Sequence, residues 1–164
     1  MKRIRFLVPA VGFVLALLPA TVLASTNYNE SISGIETGYP YSTSSCPAPD
    51  SVSPFAGVAS GTLDGTFQIA VCHTPLAPDA TILGGSFVLT STSATVTGAF
   101  ASGGTVSLVG ESASGGLCTQ TYAVSGGLLP AGKFSGTLTH YGYWTGSSCS
   151  IFFATISGRA QLRI

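Results

Sequence analysis

The stretch Phe152-Phe153-Ala154-Thr155-Ile156-Ser157-Gly158-Arg159-Ala160-Gln161-Leu162-Arg163-Ile164 decides the fold. Phe152, Ala154, Ile156, Gly158, Ala160, Leu162 and Ile164 fall on one parity, and Thr155, Ser157, Arg159, Gln161 and Arg163 on the other. A period of two held this long predicts a long antiparallel strand with one apolar and one wet face.

The same alternation recurs upstream. Leu63, Phe67, Ile69 and Val71 share a face, against Asp64, Thr66 and Gln68. Further strands are expected near 85–90, 94–101, 105–111, 118–125 and 133–144. They are separated by glycine pairs or Gly/Ser/Pro clusters at 75–79, Gly103-Gly104, Gly115-Gly116, Gly126-Gly127 and Gly146-Ser147-Ser148. Glycine at such points supplies the positive φ of tight turns. No window shows the 3.6-residue period of a helix. The expected fold is therefore all-β: one antiparallel meander of about seven or eight strands. Short connections favour pairing of sequence neighbours, and closure into a small barrel would remove exposed edges. A two-sheet β-sandwich is the alternative.

The beginning of the chain reads differently. Lys2, Arg3 and Arg5 precede an apolar run from Phe6 to Leu18, and Val22 and Ala24 stand before Ser25. This is the pattern of a secretory signal peptide over 1–24. The expected organisation continues with an extended segment over 25–58, pinned by a disulfide, and a β domain over 59–164. From Ser25 on, 60 of the 140 residues are serine, threonine or glycine, and charged residues are only 7% of the whole chain. Lys133, Arg159 and Arg163 face Glu30, Glu36, Asp50, Asp64, Asp79 and Glu111, a formal net charge of −3. That balance excludes a charge-driven nucleic-acid binder and a polybasic membrane-surface protein. Membrane insertion is not expected, because the apolar run is short for a span and broken by Pro9 and Pro19. A transmembrane barrel would need aromatic girdles that successive strands do not show.

Four cysteines, Cys46, Cys72, Cys118 and Cys149, lie beyond the signal. An even number in an exported chain points to two disulfides, with Cys46–Cys72 and Cys118–Cys149 preferred among three connectivities. No CxxC pair suggests zinc, and neither a metal nor a cofactor is expected.

His140-Tyr141-Gly142-Tyr143-Trp144 is the most distinctive run. Tyr141 and Tyr143 share the parity of Ser135, Thr137 and Thr139, so both should point outward as a strip able to stack a sugar or an extended peptide. Trp144 and His140 share the parity of Phe134 and Leu138. His73, beside Cys72, is the second imidazole. Imidazole is the one side chain that titrates near neutrality unperturbed, so each histidine is a candidate ligand or base wherever an acid meets it. Gly110-Glu111-Ser112-Ala113-Ser114 departs from a nucleophile elbow at its last position and leads into another strand, which excludes that class of hydrolase. Glu111 with Asp64 or Asp79 gives no marked carboxylate pair, and Asp50, Asp64 and Asp79 lack calcium-loop spacing. Rows of threonine, such as Thr95/Thr97 and Thr137/Thr139, suit the wet face of a sheet and follow no fixed repeat.

The expectation is a secreted, non-enzymatic binding or structural module at the cell surface, in the periplasm or outside the cell. Its outward aromatics are the candidate contact for a glycan or a surface protein. The alternative is a small-ligand carrier or enzyme whose site lies at the barrel mouth, using His73, His140 and a nearby acid.

Overall fold

A computed structural model describes residues 26–164. The signal-peptide reading of 1–24 lies outside the described residues. The described residues form nine strands and no helix: β1 (Asn27–Glu36), β2 (Ser51–Gly61), β3 (Gly65–His73), β4 (Ala80–Ser91), β5 (Thr95–Phe100), β6 (Gly104–Ser114), β7 (Leu117–Leu129), β8 (Gly132–Trp144) and β9 (Cys149–Arg163). Every pairing is antiparallel, and because β3 also pairs with β4, the run β3-β2-β1-β9-β8-β7-β5-β4 closes on itself. The result is an eight-position barrel with one extra strand, and the sandwich alternative falls.

The extra strand comes from one broken position. The N-terminal part of β4 pairs with β6 (Ala80↔Val106), and its C-terminal part pairs with β5 (Ser86↔Ala99). On the other side, β7 pairs with β5 at Leu128 and Leu129 and with β6 from Ser125 back to Leu117. β5 and β6 thus share one place in the barrel. β4 changes partner at Gly84–Gly85, where φ is +156° and +144°. A Cβ at Gly85 would run into the carbonyl of Ala70 on β3, so glycine is required at this corner.

Four sequence expectations change. The segment 25–58 is not an extension of the domain: it supplies β1 and most of β2, and the 58/59 boundary falls inside β2. The inward parity of β1 is Tyr28, Glu30, Ile32, Gly34 and Glu36, and two carboxylates on that face hide the alternation. Gly126-Gly127 is not a turn but lies inside β7, paired with Phe134 and Lys133. In β9, the register slips between Tyr141 and Gly142, so Phe152 is an extra bulged residue. The bulge turns Phe152 to the surface, 50% exposed, although simple alternation puts it inside. Ile164, also placed inside by alternation, is exposed at the end of the ladder, where its backbone exchanges hydrogen bonds with Thr26. From Ala154 to Leu162 the expected parity holds, with Ala154, Ile156, Ala160 and Leu162 buried.

One end of the barrel is filled by rings lying on glycine. Gly34 on β1 pairs with Gly57 on β2, and the Phe67 ring covers both. Gly136 on β8 pairs with Gly158 on β9, and the Phe134 ring covers both. Phe87 lies over Gly98 in the same way. Large and small residues thus alternate around the taper, as a small barrel requires. Phe100 sits between two of these rings, edge-on to Phe87 at 6.1 Å and to Phe134 at 6.5 Å. Only about 20 Å³ is left empty in this half.

The disulfides pair as expected, Cys46–Cys72 and Cys118–Cys149. Both brace the other end. Cys46 anchors residues 37–50 against the outer face of β2 and β3, where Val52 and Cys72 are buried beneath it. Cys118–Cys149 joins β7 to β9 across Gly142, where any Cβ would meet both sulfurs. Two disulfides are compatible with an oxidising environment.

The glycine–ring contacts carry a prediction. Gly57→Ala puts a methyl against the Ser33 carbonyl, the Gly34 Cα and the Phe67 ring. It is expected to lower unfolding free energy in urea by about 1–3 kcal/mol. Gly110→Ala meets nothing closer than Thr121 Cβ at 3.9 Å and should change it by less than about 0.5 kcal/mol.

Candidate functional site

The barrel end opposite the ring-packed half is open. A cavity of about 210 Å³ lies there. Its floor is Ile69, Phe100 and Phe134, the upper side of the aromatic plug, and its walls include Leu138, Val106 and Ile156. Tyr39 and Pro40, from the disulfide-anchored segment 37–50, lie at its rim together with the bulged Phe152. For scale, an engineered apolar cavity of about 150 Å³ takes up benzene.

Four polar side chains interrupt this apolar lining: Glu36, Ser53, His73 and His140. Ser53 and His73 are both buried, and they come from neighbouring strands on the same inner face. His73 Nδ1 lies 2.7 Å from the Thr74 carbonyl, which can only accept, so Nδ1 carries a proton. In the neutral ring, Nε2 is then the acceptor, and Ser53 Oγ donates to it at 3.0 Å. Ser53 also lies within reach of the Glu36 carboxylate. One hydroxyl proton therefore stands between two acceptors.

Burial pushes the Glu36 carboxyl above its ordinary value of 4.5, and the hydrogen bond from Ser53 draws it part of the way back. His140 faces Gln120 and Ala154 across the strands and packs on the Tyr122 ring at 5.2 Å. Burial, and then the nearby His73, lower its pKa below 6.5, so His140 is neutral at neutral pH.

The structure thus brings together His73 and His140, the two imidazoles singled out in the sequence. It adds Glu36 and Ser53, which sequence reasoning missed. Both lie in the segment taken as extended. The signal was present in the shared parity of Ser53, Phe55, Gly57 and Ala59, but Pro54 and two small residues blurred it.

The outward aromatics form a second surface, which meets the cavity rim at Phe152. Tyr141 and Tyr143 are exposed, 36% and 60%. The Tyr141 ring lies 5.7 Å from Phe153 and the Tyr143 ring 4.8 Å from Phe152, with interplanar angles of 37° and 34°. Trp144, whose parity is inward, is 37% exposed at the last residue of β8, opposite Cys149. The other acids are dispersed. Asp64 Oδ1 accepts from the Gly61 amide in the β2–β3 turn, Asp79 Oδ1 from the Leu108 amide, and Glu111 from Gln120. Among the described residues no group of three or more His, Cys, Asp or Glu is placed to hold a metal ion.

Comparison with known protein families, curated proteins and solved structures finds no match for this chain. The cavity and its polar cluster therefore carry the functional reading.

Glu36 gives a pH prediction with a definite sign. Its folded pKa is raised, so near and above 4.5 the folded state holds its proton more tightly than the unfolded chain. Stability from this group is present at low pH and lost as pH rises through the folded value. Glu36→Gln, which cannot ionise, is expected to raise Tm at pH 7 and to match the parent near pH 4. A lower Tm than the parent at pH 7 would contradict burial as the dominant cause.

Proposed function

We propose that this protein is an exported barrel that binds a small, largely apolar molecule in the mouth opposite the aromatic plug. One observation carries the reading. An apolar cavity of about 210 Å³ is lined by 19 residues, of which Glu36, Ser53, His73 and His140 present polar groups from several elements to one space. Apolar walls with a few converging polar groups are the usual form of a small-molecule site. The walls supply affinity by removing apolar surface from water, and the polar groups fix orientation. The disulfides support it further. Both lie at the open end, where the core is not filled and where a preformed site needs bracing. They also agree with export into an oxidising compartment.

Binding rather than turnover is the reading. The Ser53–His73 pair resembles a nucleophile and its base, with the Thr74 carbonyl orienting the ring. Ser53, however, lies within a paired strand opposite Val71 and not on the sharp strand-to-helix turn that presents a catalytic serine.

The aromatic strip supports a second reading. Tyr141, Tyr143, Phe152 and Phe153 form two tilted ring pairs on the outer face of β8 and β9. Adjacent exposed rings of this kind suit stacking against a glycan or a surface partner.

A thermal-shift screen of residues 25–164 with small lipophiles and soluble glycans separates the two. A ligand present at about 100 times its Kd adds about 2.7 kcal/mol to folding stability. Stabilisation by a lipophile is expected, lost in Val71→Trp, which fills the mouth, and kept in Tyr141→Ala/Tyr143→Ala. Stabilisation only by glycans, lost in the tyrosine double variant, would transfer function to the outer strip.

A further inference from the structure

Resting on the mouth-cavity reading, we propose that the cavity selects ligands whose polar end is a protonated amine, with Glu36 as its counter-charge. Donor and acceptor capacity at the site points this way. His73 Nδ1–H is committed to the Thr74 carbonyl, and the Ser53 hydroxyl, 3.0 Å from His73 Nε2, has a single proton to offer that nitrogen and the neighbouring Glu36 carboxylate. Whichever acceptor takes that proton, the other is short of a donor. Neutral His140 adds one more lone pair to the one N–H it offers. The cluster is therefore rich in acceptors and poor in donors. A primary ammonium brings three N–H donors and no acceptor, which is the complement of this set.

Charge placement agrees. The cavity lining holds one carboxylate and no lysine or arginine. The cations among the described residues, Lys133, Arg159 and Arg163, are exposed on the outer face of β8 and β9, towards the ring-packed end. From Lys133 to His140 along β8 is roughly 23 Å at about 3.3 Å per residue, well past a Debye length of about 8 Å at physiological salt. A carboxylate ligand would meet Glu36 with no fixed cation to balance it. An ammonium meets an opposite charge among apolar walls, where the interaction is least screened. Phe152 and Tyr39 at the rim add ring faces that attract a cation.

Ammonium binding also restores the Glu36 charge that burial opposes. The preference should thus be strongest where Glu36 is ionised and should fade as pH falls through its raised titration.

The test uses hexylamine, hexanol and hexanoate, which share one tail, titrated into the disulfide-bonded protein at pH 7.5 by calorimetry. Hexylamine is expected to bind about ten- to a hundred-fold more tightly than hexanol, the worth of one hydrogen bond to a charged group, with hexanoate the weakest. Glu36→Gln should remove the amine's advantage while hexanol binding persists, which shows the cavity intact. Equal binding of all three, tighter hexanoate, or an amine preference that survives Glu36→Gln would overturn the selectivity and leave the cavity reading standing. No binding of any of the three would overturn both.

Discussion

The aromatic plug made by Phe87, Phe100 and Phe134 is the constraint on which the rest of the structure depends. The three rings meet edge-on across the barrel, and Phe87 and Phe134 each rest on glycine in neighbouring strands. Glycine at Gly98, Gly136 and Gly158 lets a ring approach the backbone where any side chain would collide. Below the plug, Phe67 covers Gly34 and Gly57 and leaves almost no void. Above it, Phe100 and Phe134 become the floor of the open cavity. The same residues thus end the core and begin the site.

This division explains where the covalent staples lie. The ring-packed half is held by buried apolar contact. The open half lacks such filling and is held by Cys46–Cys72 and Cys118–Cys149 instead. It is also where the backbone departs from regularity. The bulge at Phe152 and the covering segment 37–50 both shape the rim. A mouth that must stay open cannot gain its stability from the groups that would otherwise fill it.

Polar chemistry follows the same division. Along the outer face, threonine and serine meet across strands, as in Thr121–Thr139–Thr155 and Thr137–Ser157. The apolar faces point inward. No helix among the described residues is long and apolar enough to cross a membrane. Inside, the polar residues sit at the two ends, and one buried oxygen, Glu30 Oε2, has no hydrogen-bond partner among the described residues. Glu30, buried near the ring-packed end, accepts from the Leu63 amide and ties β1 to the β2–β3 turn. Glu36, at the far end of the same inward face, opens into the cavity.

The sequence by itself determined the all-β class, the antiparallel meander, the presence of two disulfides and the inward parity of β9 from Ala154 to Leu162, whereas which of three cysteine pairings forms was left to the structure. Each of these rests on local information: a period of two, glycine at turns, an even cysteine count. Only the tertiary structure decided that β1 and β2 belong to the barrel. Their inward faces carry Glu30, Ser53 and Glu36, and a polar residue on an apolar stripe erases the period that marks a strand. It alone decided the bulge, since one extra residue in β9 is visible only against its partner β8. It alone assembled the site. Glu36, Ser53, His73 and His140 come from β1, β2, β3 and β8, and no spacing along the chain records that barrel closure sets β1 between β2 and β9.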